Sequence, residues 1–83
     1  MSKLITTKKI NDTIEKIEKR LRKVETKPFQ VIYDKELSSY IIKTTNKVIH
    51  PALVGSFLQG LNLWIGSVIV NDAGFLNLEL KEC

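Results

Sequence analysis

The sequence contains one long stretch without a formal charge: residues 48–71, VIHPALVGSFLQGLNLWIGSVIVN, include no Asp, Glu, Lys or Arg. A helix that crosses a bilayer needs about 20 mostly apolar residues, so this stretch is long enough. Gln59 and Asn62 lie near its centre, however, where unpartnered amides each cost about 1–3 kcal/mol. The pattern also changes from helical spacing before Leu61 to the β-branched run IGSVIV. We predict a buried helix followed by a central strand, and keep a single-pass membrane protein spanning residues 48–71 as the least favoured alternative.

The size and composition of the chain predict one small globular domain over residues 1–83. Hydrophobic residues make up 43% and charged residues 27%, which is typical of a folded protein rather than a disordered one. Cys83 is the single cysteine, so no internal disulfide and no cysteine-based zinc site can form. The N-terminal sequence has no apolar run of the kind found in secretory signals. These features predict a cytoplasmic protein.

An amphipathic helix is predicted over residues 10–24, within the basic N-terminal segment of residues 1–27. Asp12 and Glu15 have capping-box spacing and place its start near Asp12, and Pro28 ends it. A stripe of apolar side chains follows an alternating four-and-three spacing, which favours docking on the protein's own sheet or on a second subunit. We predict this stripe as the seam of a homodimer; its members are Ile10, Ile14, Ile17, Leu21 and Val24.

The basic charge of the protein is concentrated in the same segment. Residues 1–27 hold nine Lys or Arg and four Asp or Glu, a net charge of +5, whereas residues 28–83 have a net charge of −1. On a helical projection several bases are predicted to cluster roughly opposite the apolar stripe, and they could follow a phosphate backbone without base readout. This basic ridge is Lys9, Lys16, Arg20, Lys23 and Lys27. The competing interpretation is a solvated helix surface stabilised by i,i+4 ion pairs.

The remaining residues, 28–83, are predicted to form a sheet with one short helix. PFQVIYD and YIIKTT have the composition of strands, and GSVIVNDAGFLNLELKE reads as a hairpin whose turn places Gly74 in the left-handed region. His50-Pro51 fits a helix start, which predicts a short helix over 51–60. The predicted fold is α+β: the N-terminal amphipathic helix and the short helix pack on a three- or four-stranded antiparallel sheet, in the order α-β-β-α-β-β.

The sequence offers no set of residues that suits catalysis. Asp72 is too far along the chain from Glu79 to share a metal ion with it, because seven strand residues extend roughly 20 Å. His50 is the single histidine and has no evident acid or thiol partner. We therefore predict that the protein is not an enzyme and uses no metal or cofactor. The large aromatic residues, Tyr40, Phe57 and Trp64, are expected in the core.

Two functional hypotheses follow from these patterns. The first is a small, non-enzymatic regulatory or interaction protein that binds itself, as a homodimer, and an unidentified protein partner. The second is a nucleic-acid-binding protein without sequence preference that uses the basic ridge. Eleven of the thirteen bases are lysine, a bias that we read as a sign of an AT-rich genome such as that of a virus or mobile element.

Overall fold

The structure, a computed structural model, describes residues 7–47 and 58–82. These residues form one helix followed by a four-stranded antiparallel sheet, so the α+β prediction is confirmed. The strand order in the sheet is β1-β2-β4-β3. The elements are α1 (Thr7–Val24), β1 (Phe29–Asp34), β2 (Ser39–Thr44), β3 (Leu63–Val70) and β4 (Leu76–Glu82).

Helix α1 forms where the apolar periodicity predicted it but extends further toward the N-terminus. Thr7 is already helical, so the predicted start near Asp12 is wrong. The helix ends at Val24, and the chain then reaches Pro28, which disfavours helical geometry at the preceding residue. The buried Glu25 fixes this end: its carboxylate accepts hydrogen bonds from the Lys27 backbone N–H at 2.9 Å and from the Asn46 side chain.

The apolar stripe of α1 packs against the sheet of its own chain. Ile17 and Leu21 are fully buried in the core, while the other stripe members are partly buried around them. On the sheet, Tyr40 and Ile42 of β2 and Leu80 of β4 are also fully buried. This face of the sheet is the helix face, and its further core members are Val31, Leu58, Leu63 and Leu78. A seam to a second subunit made of Ile17 and Leu21 would have to open this core.

Side chains of two loop residues define the hairpin turns. In the β1–β2 turn, Asp34 Oδ1 accepts hydrogen bonds from the backbone N–H groups of Glu36 and Leu37, at 2.9 and 3.2 Å. In the β3–β4 turn, Asn71 Oδ1 does the same for Ala73 and Phe75, at 2.9 and 3.0 Å. Such Asx turns are a general device for short connections. Gly74 has a φ of 86°, so the prediction of a left-handed glycine here is confirmed.

The region after β2 agrees with the sequence prediction in containing a strand and differs from it in two ways. Leu58 has 3-10 helical geometry and residues 59–62 form turns, and the part of the chain that the structure describes holds no second α-helix. The predicted short helix over 51–60 is therefore absent at residues 59 and 60, while 51–57 lie outside the described residues. Residues 63–70 form a strand, so the uncharged stretch is not one continuous helix. Within the described ranges no helix is long and apolar enough to cross a membrane.

The second difference concerns the position of that strand. We predicted a central strand from the uncharged, β-branched run IGSVIV, which is apolar on both faces, but β3 lies at the edge of the sheet. The two interior strands are β2 and β4, and β4 pairs with β2 on one side and β3 on the other. The prediction failed because apolar residues on both faces are typical of central strands without being unique to them.

Candidate interaction site

Strand β3 presents large apolar side chains to solvent. Trp64 is 49% exposed, Ile69 51% and Val70 62%, and Val68 is also exposed. Trp64 was expected in the core, and this prediction is wrong. Its indole Nε1–H donates a 3.3 Å hydrogen bond to the Glu82 carbonyl at the surface. The sequence reasoning assigned Tyr40 correctly, as a fully buried residue, while Phe57 lies outside the described residues. These residues lie along one strand, and exposed apolar surface of this kind commonly marks interaction sites.

The backbone of β3 adds a second feature to this patch. Among the described strands β3 pairs only with β4, so its other side is an edge. Edge strands offer N–H and C=O groups to another strand, and natural proteins usually protect them with charges, prolines, β-bulges or short lengths. Strand β3 spans eight residues, LWIGSVIV, and contains no charge and no proline. The outer side of β3 is therefore suited to adding a strand from another chain.

The opposite edge of the sheet, β1, has the protection that β3 lacks. Pro28, which has no backbone N–H, directly precedes β1, and Asp34 ends it. The exposed Gln30 and the neighbouring Lys27 and Lys35 add polar groups along and beside this edge. The two edges of the sheet thus differ in chemistry, and β3 is the one that favours association.

A β-bulge lies near the middle of β3. Ile65 is opposite Leu80, but the next paired residue on β3 is Ser67, opposite Glu79, so Gly66 is the extra residue. The bulge changes which residues share a face. Leu63, Ile65, Val68 and Val70 lie on the helix face, and Trp64, Ser67 and Ile69 lie on the outer face. A Cβ on Gly66 would approach the Lys81 side chain at 3.2 Å, so the glycine makes room for that aliphatic stem.

The basic ridge of α1 forms a second surface. Lys16, Lys23 and Lys27 are exposed, as the sequence predicted. The ridge is not opposite the apolar stripe, however: at 100° per residue the two lie roughly 110° apart, so the ridge flanks the core. Arg20 is accordingly half-buried, and its Nη1 donates a hydrogen bond to the Gln59 carbonyl, while Lys9 lies 3.9 Å from the Glu82 carboxylate.

A cleft separates the N-terminal half of α1 from the turn at 60–62. It has a volume of about 380 Å³, and the lysines that line it are Lys8, Lys9 and Lys16, together with Asp12 and Asn62. Asn62 has a φ of 56°, a left-handed conformation that is uncommon for residues other than glycine. Three lysines against one aspartate make the cleft basic, although no ligand is required to explain it.

The described residues contain no cluster of three or more His, Cys, Asp or Glu side chains arranged to hold a metal ion. Comparisons of the chain with protein-family models, with curated proteins and with solved structures found no match. The candidate function therefore rests on the two surfaces themselves. Sequence reasoning found the basic ridge but missed the β3 edge, since no signal in one sequence separates an interior apolar strand from an edge strand.

Proposed function

We propose that this protein is a non-enzymatic interaction protein that acts by protein–protein binding, as a homodimer. The observation that supports it is the uncharged edge strand β3, with Trp64, Ile69 and Val70 each about half exposed or more. Removing apolar surface from water contributes about 25 cal/mol per Å², so covering these side chains favours association. The earlier choice of seam, the apolar stripe of α1, is replaced here because its central members are already buried within the chain.

The experiment that tests the proposal is sedimentation velocity over a concentration series up to about 100 μM. We expect concentration-dependent dimerisation of the unaltered chain. Ile69→Lys and Val70→Lys place a charge on β3 at positions exposed enough to leave the fold intact, and both should give monomers. Leu37→Lys is the matched control, because Leu37 is 53% exposed but lies in the β1–β2 turn. A strict monomer at every concentration would refute the proposal.

A second candidate function is nucleic-acid binding through the basic ridge. The exposed Lys16 and Lys23, next to the basic cleft, favour it. Binding of this kind depends on release of counterions and weakens steeply with salt. An electrophoretic shift at low salt should be abolished by Lys16→Glu with Lys23→Glu. It should survive Lys35→Glu with Lys43→Glu, which changes net charge equally at exposed lysines outside α1. No shift at low salt would exclude this function.

A further inference from the structure

We infer that the partner of β3 is β3 of a second copy, paired antiparallel with complete overlap of residues 63–70 about a two-fold axis between Gly66 and Ser67. This inference rests on the proposed function, and it specifies the partner and the register. The pairing would join two four-stranded sheets into one sheet of eight strands. Each protomer would contribute the same strand, so the contact is isologous and closes at two copies.

The bulge at Gly66 is what makes complete overlap possible. In an antiparallel pair, residues directly opposite each other point to the same face of the sheet. Side chains alternate between the two faces along a regular strand. If an eight-residue strand without a bulge paired antiparallel with its own copy over its full length, each residue would be opposite a residue that points to the other face. The extra residue in β3 shifts this alternation by one position at the centre of the strand. With complete overlap, each residue on either side of the bulge is then opposite a residue that points to the same face.

The resulting pairs are apolar on both faces. Trp64 is opposite Ile69 of the partner subunit on the outer face. On the helix face, Ile65 is opposite Val68 of the partner subunit, and Leu63 is opposite Val70 of the partner subunit. Aromatic–aliphatic and aliphatic cross-strand pairs are among those that stabilise adjacent strands. Every exposed apolar residue of β3 gains a neighbour in this arrangement.

Charge favours self-pairing at this edge over the alternatives. The protein has a formal net charge of +4, concentrated in residues 1–27, so two copies repel each other most strongly where their α1 helices approach. Strand β3 contains no charged residue, so its own copy brings no like charge against it. Pairing of β3 with β1 of another copy would leave two free edges and grow into filaments. Pro28 and Asp34 at the two ends of β1 disfavour that arrangement.

Disulfide cross-linking tests the register. In a background with Cys83→Ser, Ser67→Cys would place two thiols diagonally across the axis, with Cα atoms about 6 Å apart, within disulfide range. Ile69→Cys is the control on the same strand and face. In the inferred register the two introduced thiols, one on each subunit, are five positions apart, or about 17 Å along the strand. With diamide as the two-electron oxidant, we expect rapid covalent dimers for Ser67→Cys and slow ones for Ile69→Cys.

The outcomes separate the register from the proposed function. Fast cross-linking at Ile69→Cys, or equal rates for the two variants, in a chain that still sediments as a dimer overturns the inferred register alone. If the unaltered chain sediments as a monomer, both the inferred register and the proposed function are refuted. The single tryptophan gives an independent check, since Trp64 would move from solvent to a contact with Ile69 of the partner subunit. Its emission should shift to shorter wavelength as concentration rises, and an unchanged spectrum in the dimer would contradict the pairing.

Discussion

The hydroxyl of Thr44 donates a 2.8 Å hydrogen bond to the backbone carbonyl of Leu76, and both residues are buried. The Leu76 backbone N–H in turn donates to the Asn46 carbonyl, also at 2.8 Å. These two bonds join the end of β2 to the start of β4, beyond the last paired residues of the two strands, Lys43 and Asn77. They fix the position of the central strand on which β3 depends.

Replacing Thr44 by valine should destabilise the fold. The substitution keeps the shape of the side chain but leaves the buried Leu76 carbonyl without its partner, at a cost of about 1–3 kcal/mol. Urea denaturation would measure the change in the free energy of unfolding. Thr45→Val is the control, because the Thr45 hydroxyl makes a 3.2 Å bond to the Pro28 carbonyl in an exposed setting. Equal effects for the two variants would contradict this assignment.

The core position of the helix stripe gives a larger predicted effect. Leu21→Ala should lower the free energy of unfolding by about 2–5 kcal/mol, because Leu21 is fully buried and its truncation leaves a cavity. Leu37→Ala removes the same atoms from an exposed turn and should change stability by less than about 0.5 kcal/mol. If Leu21→Ala dissociated a dimer while leaving the unfolding free energy unaltered, the stripe would belong to an intermolecular seam after all.

Tyr40 predicts a loss of stability in alkali. Burial raises the pKa of its hydroxyl above the ordinary value of about 10. The neighbouring Thr13 side chain lowers this pKa, and the Glu82 carboxylate raises it further. The folded state therefore holds this proton more tightly than the unfolded state does. The free energy of unfolding therefore does not depend on this group below about pH 10 and decreases as the pH rises from there through the folded-state pKa.

The variant Tyr40→Phe tests whether this hydroxyl causes the pH dependence of stability. Within the described residues the buried Tyr40 hydroxyl has no hydrogen-bond partner, so its removal should be neutral or stabilising by up to about 1 kcal/mol near neutral pH. The variant should also lose less stability than the unaltered chain above about pH 10, as thermal unfolding would show. Tyr33→Phe is the control, since Tyr33 is only partly buried. Identical alkaline profiles for Tyr40→Phe and the unaltered chain would refute the assignment.

Salt should act oppositely on the two candidate functions. Each protomer has a net charge of +4 and the β3 strand has none, so added NaCl should screen repulsion and strengthen the dimer. Binding to nucleic acid should weaken under the same change. Sedimentation and electrophoretic shift assays on one protein preparation would measure both. A dimer that dissociates with salt would indicate an interface held by ion pairs and not by β3.

Local patterns in the sequence predicted most of the elements but not their arrangement. The apolar spacing of α1, the alternation of Leu76, Leu78 and Leu80, and Gly74 in the turn are short-range signals, and the structure agrees with each. The insertion of β4 between β2 and β3 depends on contacts distant in sequence, which alternation alone does not encode. The candidate site could not be predicted for the same reason. The exposure of Trp64 depends on the order of the strands in the sheet and not on its neighbours in sequence.

The strand order has a consequence for folding. Among the described strands, β3 is attached to the rest of the sheet through β4, so it joins the sheet together with or after β4. Until that step, residues 63–70 form an uncharged segment whose strand edges are not both satisfied. Unpaired strand edges of this kind are prone to aggregate, so the rate at which β4 docks on β2 determines how long the hazard lasts.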